Sequence, residues 1–240
     1  MTGFGEVETL KMTLRNVAMI GVAAGLAVLP VTAAIAAKVV VVRSIGPSAK
    51  DFPPGKALSD TTSIKLGSGD IVTLIGPSSS KTLRGPGTFT ASTPNAQMAM
   101  ASGRRGRFGA LRTGEVAKNP SLWDLDATQS GKMCVSNPSK LNLWRPDGET
   151  AAKISISGGG KQQAIEFAPG QTSLAWPAKL PVTDGSEYQV TWVESGERNK
   201  LNFVTVSSPP TDLPGAAQLL IEKGCQYQLD LLVDSAAKAK

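Results

Sequence analysis

There is no histidine among the 240 residues of this chain. Mechanisms in which an imidazole activates a serine or cysteine are therefore closed, and so is the commonest route to a zinc site. Cysteine is nearly as scarce. Cys134 and Cys225 are the two present, enough for one disulfide in an oxidising compartment. Aromatic residues make up 5% of the chain, and acidic residues are almost missing from one long stretch. Between Ile71 and Lys118, the residues Lys81, Arg84, Arg104, Arg105, Arg107, Arg112 and Lys118 are set against Glu115 alone, which accounts for the formal net charge of +6. In an exported chain such a segment suits anionic headgroups, acidic glycans or an acidic partner better than nucleic acid, with Arg104, Arg105, Arg107 and Arg112 as the contact residues. The plainer reading is a solvated linker kept soluble by its charges.

Compartment is written in the N-terminus. After Lys11 and Arg15 comes an uncharged run, VAMIGVAAGLAVLPVTAAIAA, from Val17 to Ala37, closing on Ala34 and Ala36 in the A-x-A arrangement of a cleaved secretory signal. Met12 is an alternative start that leaves a shorter basic leader. An uncleaved anchor is the competing reading, since the run is long enough to span a bilayer. Pro30 and the alanine-rich end favour cleavage, so the expected location is periplasmic or secreted. With 41% hydrophobic and 18% charged residues, the remainder has the composition of a folded globular chain.

Five segments follow from the punctuation: a signal over 1–37, a β unit over 38–91, a basic linker over 92–120, a sandwich over 121–208 and a helical tail over 209–240. The expected class is mainly β: a small N-terminal β unit, a linker, an immunoglobulin- or fibronectin-like β-sandwich and short C-terminal helices. Val39 to Arg43 is a β-branched run suited to a strand buried on both faces. Pro53 and Pro54 exclude a central strand after it. The passage from Leu58 to Ala91, LSDTTSIKLGSGDIVTLIGPSSSKTLRGPGTFTA, resembles the FecR-type domain of bacterial envelope sensors, in which a Gly-Asp turn precedes a strand and a later hairpin closes the unit. The resemblance is confined to this unit and implies an envelope location and a protein partner.

Strands are expected around Cys134 and over 141–144, 152–157, 162–167, 172–176, 187–194 and 200–206, separated by Gly-containing turns. LWDL at Leu122 to Leu125 reads as a further short strand. Trp144, Trp176, Tyr188, Trp192 and Phe203 recur at alternate positions and read as core before they read as a sugar-stacking platform. After Pro209 and Pro210 the sequence turns helical. Thr211 or Asp212 caps, Pro214 sits in the first turn and Gly224 stops the helix. A second helix is expected over 226–233, then a soluble tail. A bridge between Cys134 and Cys225 would close a loop of about 90 residues, worth on the order of 4 kcal/mol in the chain-entropy model.

Candidate chemistry is thin. Gly76 to Thr82 (GPSSSKT) lacks the glycine before the lysine that a phosphate loop needs, and no helix follows. Ser78 and Lys81 have S-x-x-K spacing but fall in a turn, without the S-D-N and K-T-G partners. Asp124 with Asp126, or Asp147 with Glu149, is too sparse for calcium. No catalytic residue, metal, cofactor or small-molecule substrate is assigned. The expected role is an exported, non-catalytic envelope protein that mediates protein–protein interaction in signalling or assembly. The alternative is a module binding peptidoglycan or another surface polysaccharide, which would need Trp144, Trp176 and Trp192 exposed. A hydrolase ranks third, because nothing assembles acid, base and nucleophile.

Overall fold

A computed structural model describes residues 39–92 and 119–238. The expected signal segment and Arg104, Arg105, Arg107 and Arg112 lie outside the described residues. The chain is mainly β with two short C-terminal helices, and the described residues fall in one compact unit. No helix among the described residues is long and apolar enough to cross a membrane.

The N-terminal β unit is built on β1 (Val39–Ile45), whose first four valines are all buried. The strand period of two divides them between two cores. Val39 and Val41 join Leu58, Ile64, Val72, Leu74 and Leu83, whereas Val40 and Val42 face the C-terminal helices. β2 (Ala57–Leu58), β4 (Ile71–Ile75) and β5 (Ser80–Arg84) complete an antiparallel sheet in the order β2-β1-β4-β5. β3 (Ser63–Leu66) pairs with β6 (Gly87–Thr90) beside it.

Between β3 and β4 the Gly-Asp turn is tied by Asp70, whose carboxylate accepts from the backbone N–H of Gly67 at 2.6 Å and of Ser48 at 3.2 Å. Gly69 takes the left-handed conformation this turn needs, with φ 81°. The Ser48 hydroxyl, then the Gly67 and Ser48 amides, hold the Asp70 pKa below the usual carboxylate value, against the opposing effect of burial. That hydroxyl makes no geometrically formed hydrogen bond, so the amides are the firmer cause.

The sandwich has a five-stranded sheet, β11-β10-β13-β14-β8, facing a three-stranded one, β12-β9-β7. The strands are β7 (Leu125–Asp126), β8 (Gly131–Val135), β9 (Asn142–Trp144), β10 (Ala152–Gly158), β11 (Lys161–Phe167), β12 (Ser173–Ala175), β13 (Glu187–Trp192) and β14 (Arg198–Thr205). Each segment expected between Lys132 and Ser207 forms a strand. Pairing is antiparallel except where β8 runs parallel to β14 and β7 parallel to β9. The first long strand therefore lies beside the last.

Inner-face residues alternate along β10, β13 and β14, placing Ile154, Ile156, Tyr188, Val190, Leu201 and Phe203 in one core with Leu143 and Trp176. Trp176 meets Tyr188 and Phe203 edge-on at 5.2 and 5.3 Å and donates its indole N–H to the Leu180 carbonyl at 2.6 Å. The Tyr188 hydroxyl donates back to the Pro181 carbonyl at 2.7 Å. This closes the tyrosine corner of immunoglobulin-type sandwiches.

The helices follow the expected caps. α1 (Leu213–Lys223) starts at Asp212, whose carboxylate accepts from Gly215 N–H, and stops at Gly224 in the left-handed conformation. α2 runs Gln226–Lys238, one turn or more past the expected end at Val233. Residues 235–238, expected as part of a soluble tail, are helical because Ala236 continues the Leu229, Leu232 and Val233 stripe and is buried with it.

Candidate functional site: a helical clasp and the sheet surfaces beside it

Cys134, on β8, and Cys225, between the two helices, are bridged, with Cα atoms 5.9 Å apart. That separation is ordinary for a disulfide. Both residues are fully buried, in a cluster that also holds Val40, Val42, Ile75, Ala217, Leu220 and Leu229. The sequence places the helices against the start of the sandwich. They cover that surface and also the outer face of β1 and the edge of β5. The difference arises because β1 is apolar on both faces and has a second face to bury.

Four polar ties register the clasp. Gln228 is 2% exposed. Its Oε1 accepts from Cys134 N–H at 2.7 Å, and its Nε2 donates to the carbonyls of Cys134 and Leu122, both at 2.8 Å. One side-chain amide thus occupies both hydrogen-bonding groups that Cys134 turns away from β14, as a neighbouring strand would. The Tyr227 hydroxyl donates to Asp126 Oδ2 at 2.5 Å, while Asp126 Oδ1 accepts from the backbone N–H and hydroxyl of Thr128. Burial first, and then the Asp126 carboxylate, push the Tyr227 pKa well above the usual phenol value. On the N-terminal unit, Ser80 donates its hydroxyl to the Val233 carbonyl at 2.7 Å, and Arg43 pairs with Asp230 at 2.5 Å. The latter is a solvent-exposed pair and contributes little, about 0–1 kcal/mol.

Beyond the clasp the five-stranded sheet turns a polar outer face to solvent. A cleft of about 440 Å³ lies there, lined by Ser157, Glu187, Gln189, Lys200 and Asn202. Asn202 already donates to Glu187 at 2.9 Å and Gln189 to Thr191 at 3.2 Å. A second cleft of about 310 Å³ is lined by Arg145, Asp147, Trp192, Glu194 and Glu197. Arg145 is buried without a carboxylate. It donates to the carbonyls of Thr150 (2.6 Å), Gln171 (2.9 Å) and Ala168 (3.2 Å), and stacks on Phe167 at 4.8 Å. Its charge is thus spent on bracing two loops. Glu194 accepts from Lys153 N–H and Glu197 from Asn199, so these carboxylates also have structural partners.

The remaining sequence candidates separate. Gly76 to Ser79 closes the β4–β5 hairpin through Gly76 N–H to Ser79 O at 2.8 Å, and the chain continues as a strand. Ser78 is therefore in the turn and Lys81 on β5, without the helix either motif requires. Burial lowers the Lys81 pKa. Trp144 and Trp176 are buried, at 5% and 8% exposure. Trp192 is half-buried, stacked on Phe167 and bonded to the Ala127 carbonyl. Among the described residues no group of three or more Asp, Glu, Cys or His is placed to hold a metal ion. Arg145, Asp126, Tyr227 and Gln228 carry no sequence signature, because each role depends on a partner distant in the chain.

Fold and clasp together define a disulfide-bound, mainly β protein with an immunoglobulin-type sandwich and a C-terminal helical hairpin. No protein-family model, curated protein or solved structure matches the chain.

Proposed function

We propose that this chain is an exported, non-catalytic envelope protein that mediates protein–protein interaction in signalling or assembly. The observation that carries the reading is the clasp. A buried disulfide, the bond type of oxidising compartments, ties a helical hairpin that shares one apolar cluster with both β units. Such a body presents fixed surfaces, which is what a docking protein requires. The signal-like run from Val17 to Ala37 and the FecR-like turns from Leu58 to Ala91 support the same compartment. The polysaccharide alternative is weakened by the burial of Trp144 and Trp176 in the sandwich core. The basic segment with Arg104, Arg105, Arg107 and Arg112 remains the proposed contact for an acidic partner.

Fractionation with thiol alkylation, followed by photo-cross-linking in intact cells from probes on the sheet face at Ser155 and Gln189, tests this. The expected result is an oxidised protein in the envelope fraction with discrete protein adducts. Free thiols and a cytoplasmic location would overturn the compartment. Retention on isolated cell-wall polysaccharide with no protein adduct would overturn the partner class.

A further inference from the structure

Edge strands are exposed templates for pairing, and folded proteins shorten, bend, charge or cover them. Most edges among the described residues are handled in these ways. β8 is blocked by Gln228 and α2, and α2 also lies on β5. β2 and β7 have two residues each, β12 three, and β3 and β6 four. β11 is different. It is seven residues long, KQQAIEF, and contains no proline. It pairs with β10 in unbroken register from Gly158↔Lys161 to Ala152↔Phe167. No bulge bends it, and no helix is packed along its other side.

Turn geometry says which groups that edge offers. Gly159 and Gly160, both at positive φ (57° and 72°), form a two-residue hairpin turn. The flanking Gly158 and Lys161 are then a hydrogen-bonded pair, and alternation follows along the strand. Lys161, Gln163, Ile165 and Phe167 direct their N–H and C=O groups to β10. Gln162, Ala164 and Glu166 direct theirs away from the sheet. The bond from Val193 N–H to the Lys153 carbonyl, on the far side of β10, fits the same phase. The Ala164 carbonyl accepts from the exposed Gln163 side-chain amide at 3.1 Å, a local bond that an incoming strand displaces.

We propose that β11 is the association edge for a second copy of this chain, pairing antiparallel about a dyad at Ala164 so that the five-stranded sheet continues across both copies. The residue pattern is complementary to itself in that register. Ala164 faces Ala164 of the second copy, two methyl groups where a larger side chain would crowd the axis. Gln162 faces Glu166 of the second copy, twice by symmetry, so an amide meets each carboxylate and no like charges stand opposite. Gln163 faces Ile165 on the inner side. Every outward N–H and C=O at 162, 164 and 166 gains a partner, in an isologous, closed C2 arrangement that leaves no free β11 edge. One strand pair buries less than a standard interface of about 1,600 Å², so the dimer is a reversible one, in the micromolar range.

Sedimentation velocity on the oxidised chain from ~1 to ~100 µM tests the proposal. The expected result is a monomer–dimer equilibrium inside that range, with β11 amides protected from hydrogen exchange at the high end. Ala164→Pro removes an outward N–H that β10 does not use, and Ala164→Lys places like charges on the dyad. Each is expected to weaken the dimer at least ~10-fold while leaving the monomer's near-ultraviolet circular dichroism unchanged. If Ala164→Pro disturbs that signal, the lysine variant alone decides. A monomer throughout the range, or a dimer indifferent to Ala164→Lys, overturns the proposal. A monomer whose β11 amides become protected only in the presence of envelope extract assigns the edge to a different protein's strand and overturns the second-copy assignment.

Discussion

Gln228 shows how much one side chain carries when it stands in for a strand. Replacing it with methionine keeps most of the volume but leaves the Cys134 N–H and the Cys134 and Leu122 carbonyls without their partner. Unpaired buried groups cost roughly 1–3 kcal/mol each, so Gln228→Met is expected to lower stability by about 2–4 kcal/mol in urea melts under oxidising conditions. A loss under about 1 kcal/mol would mean that water replaces the amide. Asp70 makes a pH-dependent counterpart. Its carboxyl titrates lower folded than unfolded, so its contribution is complete above the unfolded value near 4 and is lost as pH falls through the folded one. Asp70→Asn is expected to flatten the acid limb of the stability curve between about pH 5 and pH 2, measured as the urea midpoint against pH. An identical acid limb in both proteins would remove Asp70 from the acid response. Neither role is legible in the sequence. A glutamine bonded across 94 positions looks like any helical glutamine, whereas the Gly-Asp turn was visible and only its amide partner at Ser48 was not.

At the scale of elements the sequence was far more readable. The strands of the sandwich fall where glycine turns cut apolar alternation, at Gly159-Gly160, Gly170, Gly185 and Gly196, each at positive φ. Asp212, Pro214 and Gly224 mark the first helix because caps act locally. What local rules do not contain is the surface that an apolar face will find. The tail reads as an appendage of the sandwich, yet Ile75, Val40 and Val42 from the N-terminal unit meet it as well. Cys225→Ser is therefore expected to lower stability by about 2–4 kcal/mol, in a single transition reported alike by probes on both β units. Two separate transitions, with the N-terminal one unmoved, would show that the helices are coupled to the sandwich alone.

For the whole molecule the decisive point is what joins the two β units besides the chain between them. The disulfide does not: Cys134 and Cys225 both lie after the basic segment. Trypsin is expected to cut first at Arg104, Arg105 or Arg107, where the sequence concentrates arginine among glycines. The two fragments are expected to co-elute on gel filtration, held by the apolar cluster under the helices and by the Ser80–Val233 and Arg43–Asp230 ties. Separation of the fragments without denaturant would show that cluster to be too weak. First cleavage at Lys153 or Lys200 would place the most accessible backbone inside the sandwich.

The position of the bridge also sets the mechanics of the chain under load. A protein tethered by its two ends transmits tension through Cys134 directly to Cys225, because the bond short-circuits the 91 positions between them. The sandwich strands after β8, and α1 with them, are then sheltered from the pull and contribute nothing to the length gained on stretching. Among the described residues, only the N-terminal β unit, the segment leading to Cys134 and the thirteen residues of the last helix lie in the path of the force. Reduction of the one bond would release about 300 Å of hidden chain, so the fully stretched length of these 240 residues would rise from about 500 Å when oxidised to about 800 Å once reduced.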